Sequence, residues 1–275
     1  MTVFFGAMTS ILLGTSDYFG RFVTKRAAAA TAVATVMAVG TVVGLALVTV
    51  VPSAFTGRDF GLGAGSGVVN GAALALLYAG MARSSTAVVS PIVALGMVLV
   101  PTVFDLSTGG SLATLQIAGF VVALLGLLLT TFSPELGDRV RTGLMYGSVG
   151  GLAAGVALLM IGRTDIDSGL WAAVGQRLTG AIFLLGVATA TSLPRVLPSG
   201  LRVPGILAGV IAVGGIACFI AGSQRGSLSV VVVTGSMFPA VTAVLAWWFD
   251  DDALRWWQVV GIGLVLGGVG LIAAG

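Results

Sequence analysis

The chain has 275 residues, of which 57% are hydrophobic and 8% charged, with a formal net charge of +3, no His and a single Cys. That much apolar surface excludes a water-soluble domain. The missing His and the lone Cys218 exclude a disulfide framework and the commonest metal and acid–base chemistry, so no metal and no cofactor is expected. The cations are scattered over segment ends rather than gathered in a basic run, which argues against a nucleic-acid partner.

An α-helix rises 1.5 Å per residue, so a hydrocarbon layer about 30 Å thick takes about 20 apolar residues to cross. Ten such stretches follow one another, at 2–24, 29–52, 60–82, 85–105, 112–133, 142–163, 168–193, 203–223, 227–249 and 253–274. The alternating ten-residue pattern of a β-barrel is absent. The expected fold class is all-α and polytopic, with the lipid bilayer as solvent.

The first span carries Asp17, Arg21 and Lys25 at i, i+4 and i+8, on one helical face. These charges and the absence of a basic leader make it a retained helix rather than a cleaved signal peptide. An isolated charge within a membrane helix is costly, so Asp17 needs a partner: Arg21 one turn on, or a ligand in a cavity. The third span offers Gly63, Gly67 and Gly71 at four-residue spacing, with Asn70 and Tyr78 as polar candidates, each suited to an interhelical hydrogen bond or to a ligand.

The fourth span contains Pro91 and Pro101, and the ninth contains Pro239. Each proline removes a helix hydrogen bond and frees the carbonyl four residues back, those of Ala87, Met97 and Gly235. A freed carbonyl in a membrane must face protein or water. These helices are therefore expected to bend beside a cavity, with Ser90, Thr234 or Ser236 satisfying the carbonyls or contacting substrate.

The sixth span has Gly143, Gly147, Gly151 and Gly155 on one stripe, which suits close packing or a sliding surface. Arg177 lies about ten residues into the seventh span, with Gln176 beside it. Arginine keeps its charge, so this side chain must face a cavity, a carboxylate or carbonyls: it either holds a substrate carboxylate or phosphate, or pairs with Asp17 or Asp105. Asp250, Asp251 and Asp252 read as a solvated turn, with Trp247, Trp248, Trp256 and Trp257 as an interfacial belt.

The second five spans repeat the first five at an offset of about 142 residues. Arg225, Ser227, Gln258, Gly261 and Gly268 fall under Arg83, Ser85, Gln116, Gly119 and Gly126, and Gly162-Arg163 falls under Gly20-Arg21. This divides the chain into a first repeat at 1–133, a polar linker at 134–141 and a second repeat at 142–275. Five crossings per repeat is odd, so the second copy must enter the membrane from the opposite face, which is the inverted-repeat plan of secondary transporters. Loops after the first, third, fifth, seventh and ninth spans carry Lys25, Arg26, Arg83, Arg139, Arg141, Arg195, Arg202 and Arg255, against Arg58, Arg163 and Arg225 in the others. That bias places both termini outside the cell. One Lys against twelve Arg, with abundant Ala, Gly and Val, suggests a GC-rich bacterial source and hence the inner membrane.

Several segments carry a family likeness. Val88-Val89-Ser90-Pro91-Ile92-Val93-Ala94-Leu95 leading to Pro101, then Gln116-Ile117-Ala118-Gly119, resembles the fourth and fifth helices of the EamA-type family of the drug/metabolite transporter superfamily. Thr234-Gly235-Ser236-Met237-Phe238-Pro239-Ala240-Val241-Thr242, then Asp252-Ala253-Leu254, Gln258 and Gly261, resembles the equivalent second-half stretch, and Gly14-Thr15-Ser16-Asp17-Tyr18-Phe19-Gly20 the opening helix. Where that family usually has a Glu opening the last helix of each half, this chain has Asp252 in the second half and Gly110 in the first. The resemblance implies ten helices, a cavity between the halves, and movement of small metabolites, amino acids or drugs.

The expected function is secondary transport of a small polar or amphipathic solute by alternating access. Substrate-binding candidates are Asp17, Arg21, Asn70, Tyr78, Gln176 and Arg177. No GxxxxGK[ST] loop supplies ATP, so transport is facilitated diffusion or is coupled to protons, for which Asp17 is the candidate carrier. A channel is the alternative reading. An enzyme is not expected, since no Ser/His cluster, paired carboxylates or HExxH occurs.

Overall fold

The computed structural model describes residues 1–109, 111, 113–131, 138–225, 231, 234–235, 237–250 and 255–274, without the side chains of 98, 105, 130, 131, 250, 273 and 274. Ser227, Ser236, Asp251, Asp252, Gly110 and the first half of the expected linker, 134–137, lie outside the described residues, as does the side chain of Asp105, while 138–141 of that linker are helical. Among the described residues the helices are α1 (Thr2–Thr24), α2 (Ala29–Leu47), α3 (Gly57–Arg83), α4 (Thr86–Ser107), α5 (Thr114–Thr131), α6 (Asp138–Ile161), α7 (Leu170–Ala190), α8 (Ser199–Arg225), α9 (Phe238–Asp250) and α10 (Trp256–Ala274). A 3-10 turn at Ile166–Ser168 precedes α7, and no strand occurs among these residues.

Among the described residues six helices, α2, α3, α4, α6, α7 and α8, are long and apolar enough to cross a membrane. Helix is the form in which a segment satisfies its own backbone in lipid. Some of the polar residues sit at helix starts. Thr56 caps α3 by accepting from the Asp59 N–H at 3.2 Å. The repeated glutamines supply the converse bond at two helix starts. Gln116 Oε1 accepts from the Ala113 N–H at 2.9 Å, and Gln258 Oε1 accepts from the Arg255 N–H at 3.0 Å. Each stands three residues past the capping position and reaches back to it, half of a capping box.

Packing follows the glycine stripes. Along α6, a Cβ on Gly143, Gly147, Gly151 or Gly155 would press on α4 or the residues leading into it, at Ser84 and Val88, Ile92, Val93, and Gly96 with Val100 respectively. On α3, Gly63, Gly67 and Gly71 lie against Ala172, Gln176 with Thr179, and Gly180 of α7. On α5 and α10, Gly119 meets Gly268 and Gly126 meets Gly261, each added Cβ falling 2.6 Å from the opposing carbonyl oxygen. Other packed pairs are α1 with α8, α3 with α6, α2 with α7, α2 with α8, and α1 with α9.

The α1–α9 contact is polar as well as close. Pro239 is the second residue of α9, and the Gly235 carbonyl four residues before it accepts from Ser10 Oγ of α1 at 2.9 Å. In return Thr242 Oγ1 donates to the Gly14 carbonyl at 3.0 Å. On another face of α1, Thr9 and Ser16 donate to the Gly215 and Ala208 carbonyls of α8. These short hydroxyls hold helices together where lipid gives no hydrophobic drive.

Connecting segments gather at two ends. At one, the Ala54 N–H donates to the Asp167 carbonyl at 2.8 Å, Gln224 Nε2 donates to the Pro52 and Ile166 carbonyls, and the Leu170 N–H donates to Ser53 Oγ. Asp59, 2% exposed, completes this end by accepting from the Asp165 N–H at 3.3 Å and pairing with Arg58 at 3.2 Å. At the other end Thr31 Oγ1 donates to the Pro194 carbonyl, and Val23, Ala32, Leu197 and Leu201 form a small apolar cluster.

Candidate functional site

Three helices bring charge or a polar ring to the interior. On α1, Asp17 is partly exposed and accepts a hydrogen bond from Tyr78 Oη of α3 at 3.1 Å. Tyr78 is 1% exposed, and its ring lies close enough to Gly20 that a side chain there would overlap it. The i+4 neighbour of Asp17, Arg21, is 2% exposed and donates from Nε to the Met81 carbonyl of α3 at 3.4 Å. Asp17 and Arg21 thus each tie α1 to α3.

Arg177, the eighth residue of α7, is 6% exposed. Its aliphatic shaft runs beside Gly40 of α2, where an added Cβ would stand 3.1 Å from Arg177 Cδ and 3.1 Å from Val213 of α8. The glycine is what gives the arginine its room. Asp17 and Tyr78 lie within electrostatic reach of the guanidinium, but Asp17 and Arg177 form no ion pair among the described residues. The buried Nε and Nη1 of Arg177 have no hydrogen-bond partner among the described residues.

Gln176, next in sequence, turns elsewhere. Its Nε2 donates to Ser66 Oγ of α3 at 2.9 Å, and Ser66 in turn donates to the Gly63 carbonyl at 2.8 Å. Asn70, half-buried on α3 between Ser66 and Tyr78, makes no side-chain hydrogen bond among the described residues. Pro91 and Pro101 lie inside α4, and the Ser90 hydroxyl beside Pro91 meets Met81 Sδ at 3.4 Å. The structure therefore joins Asp17, Tyr78 and Arg177 in one region, sets Arg21 toward the helix ends, and commits Gln176 to an α3–α7 contact.

A cavity of about 250 Å³ opens where α1 and α3 end and α2 begins, lined by Thr24, Lys25, Ala27, Ala28, Ala29, Ala82 and Arg83. Thr24 is seven residues past Asp17 and Ala82 four past Tyr78, about 10 Å and 6 Å along their helices. The mouth at this end of α1 and α3 is thus rimmed by two cations. Sequence reasoning missed Gly40 and Asp59. The first has no chemistry of its own, whereas Thr56 and Asp59 at capping-box spacing were a legible signal for the second. Among the described residues no group of three His, Cys, Asp or Glu side chains can hold a metal.

Comparison with known proteins adds to this geometry. A solved structure named only "Crystal structure of protein" is 17% identical, aligns over 98% of this chain and 95% of its own length, and has a TM-score of 0.66, a likeness of fold alone. No curated protein matches the sequence. Residues 141–274, which include the Arg177 helix and the second-half motifs, match the EamA-like transporter family. Over that second half the chain matches the EamA-like transporter family, part of the drug/metabolite transporter superfamily, and with its apolar helices it is a multi-pass membrane protein.

Proposed function

We propose that the protein is a secondary transporter that moves a small polar or amphipathic metabolite across the bacterial inner membrane by alternating access. It has ten membrane helices in two inverted repeats, 1–133 and 142–275, joined by the 134–141 linker. The observation that carries this reading is the pattern of helix contacts. Adding the offset of about 142 residues turns the Gly119–Gly268 contact into Gly261–Gly126, which is the other contact of the same pair. The same operation exchanges α1–α8 with α6–α3, α4–α6 with α9–α1, and α3–α7 with α8–α2, while α2–α7 and α5–α10 map onto themselves. A two-fold relation requires such reciprocity.

Two similar halves meeting at a shared centre supply two gates and one site. Asp17, Tyr78 and Arg177 are the polar core of that site, with Asn70 on the same stretch of α3, and Arg21 and Gln176 brace it. The prolines of α4 and the start of α9 at Pro239 are where these helices flex. Proton coupling runs through Asp17, the one acid of this centre among the described residues.

Val213, which borders Gly40 as Arg177 does, gives the test. In a protein whose only cysteine, Cys218, is replaced by serine, Val213→Cys should react with a small impermeant thiol reagent from either face of oriented vesicles. A crosslink that closes one end should abolish reaction from that face only. Reaction from neither face would defeat the carrier reading, and ohmic conductance in planar bilayers would replace it with a channel.

A further inference from the structure

Resting on the carrier reading above, we infer that Arg177 is an anion clamp and that the transported solute carries a carboxylate or a phosphate. Arg177 is 6% exposed, yet its buried Nε and Nη1 find no acceptor. A guanidinium cannot shed its charge, and burying a charge without hydrogen bonds is among the most expensive arrangements a protein can hold. A fold keeps such a group when a ligand completes it.

The neighbours do not complete it. Asp17 forms no ion pair with Arg177 and takes its hydrogen bond from Tyr78. Gln176, adjacent in sequence, spends its amide on Ser66. Gly40 faces the shaft, with Val213 beside the same glycine, and neither offers a side-chain acceptor. A guanidinium presents two forks, Nε with Nη2 and Nη1 with Nη2, and each contains one of the partnerless nitrogens. An oxyanion docking on either fork satisfies one of them, and the planar fork fits a carboxylate or phosphate with two parallel bonds.

The cavity at the ends of α1 and α3, lined by Lys25 and Arg83, carries the same sign, and positive charge there raises the local concentration of anions and repels cations. A cationic solute would meet those charges first and then a buried guanidinium that forms no ion pair among the described residues. Asp17 alone would have to hold it.

The purified full chain in detergent, at matched ionic strength in chloride, tests this with acetate, succinate and inorganic phosphate against tetramethylammonium and glycerol. At least one of the anions should raise the melting temperature saturably, and neither tetramethylammonium nor glycerol should. Arg177→Gln should raise the half-saturating concentration about a hundredfold, whereas Arg177→Lys, which keeps the charge and loses the fork, should raise it about tenfold. Stabilisation by tetramethylammonium alone, by no anion, or by anions equally in Arg177→Gln would overturn the clamp. Should Arg177→Gln not fold, the probe comparison on the wild type decides alone. Cation-only binding together with two-sided labelling of Val213→Cys would overturn the clamp and leave the carrier standing. One-sided or absent labelling with anion binding would do the reverse.

Discussion

Gly67→Val should cost the protein more than about 3 kcal/mol of stability, seen as a large fall in melting temperature and loss of monodispersity in detergent. A Cβ at this position would overlap Thr179 Oγ1 and the Gln176 carbonyl and stand 3.0 Å from the Gly180 nitrogen. Two of those three atoms are backbone, so only moving α7 away from α3 makes room. Overfilling a packed contact costs about 1–3 kcal/mol even where side chains can shift. Here the separation also breaks the Gln176–Ser66 bond and the Thr179 donation to the Ala64 carbonyl. The control lies nearly two turns away on the same helix. Gly61 has nothing within 4 Å of an added Cβ, so Gly61→Ala should be neutral or stabilising by up to about 1 kcal/mol, the helix preference of alanine over glycine.

Arg177→Met should act in the opposite direction on stability and eliminate function. The side chain removed is a buried cation with two partnerless nitrogens, and the one put in its place is an unbranched apolar chain that can lie in the channel left by Gly40. Replacing buried charges with apolar groups of similar volume stabilises other proteins by about 1–4 kcal/mol. Tyr78 still hydrogen-bonds Asp17, so the variant leaves no new orphan on α1. A rise in melting temperature with loss of anion-dependent stabilisation and of uptake into proteoliposomes is the expected pair of readings. A fall in melting temperature would instead make Arg177 a structural member of the bundle.

Why such a group was visible in the sequence, and its surroundings were not, follows from the range of the interactions. The period of four along Gly143, Gly147, Gly151 and Gly155 defines one helical face whatever it touches, and that face proves to meet α4 along its whole length. The stripe was legible and its partner was not, because nothing local names the helix across the gap. Asp17 shows the same limit more sharply. Spacing pointed to Arg21 at i+4, but the hydrogen bond on Asp17 Oδ1 comes from Tyr78, 61 residues on. A local neighbour is always present in sequence, and packing decides whether a distant one is better placed.

The repeat behaves differently. Gln116 and Gln258 were legible as corresponding positions, and each reaches back to the N–H of the residue three before it. Pro239 was legible as a residue that frees the Gly235 carbonyl, and the carbonyl is indeed taken by a hydroxyl, but by Ser10 of α1 rather than by Thr234 next to it. Helix ends and prolines impose needs that can be read from one stretch of sequence. Which group meets the need depends on the tertiary arrangement.

The orientation of the two halves is the claim on which the rest depends, and one labelling experiment addresses it directly. In the Cys218→Ser background, single cysteines at Thr2, where α1 begins, and at Asp138, where α6 begins, are exposed in intact cells to an impermeant maleimide. Inverted halves predict reaction at Thr2→Cys from outside, and at Asp138→Cys only after the cells are permeabilised. Equal reactivity of both positions from one face would mean that the halves run parallel, and would contradict the account.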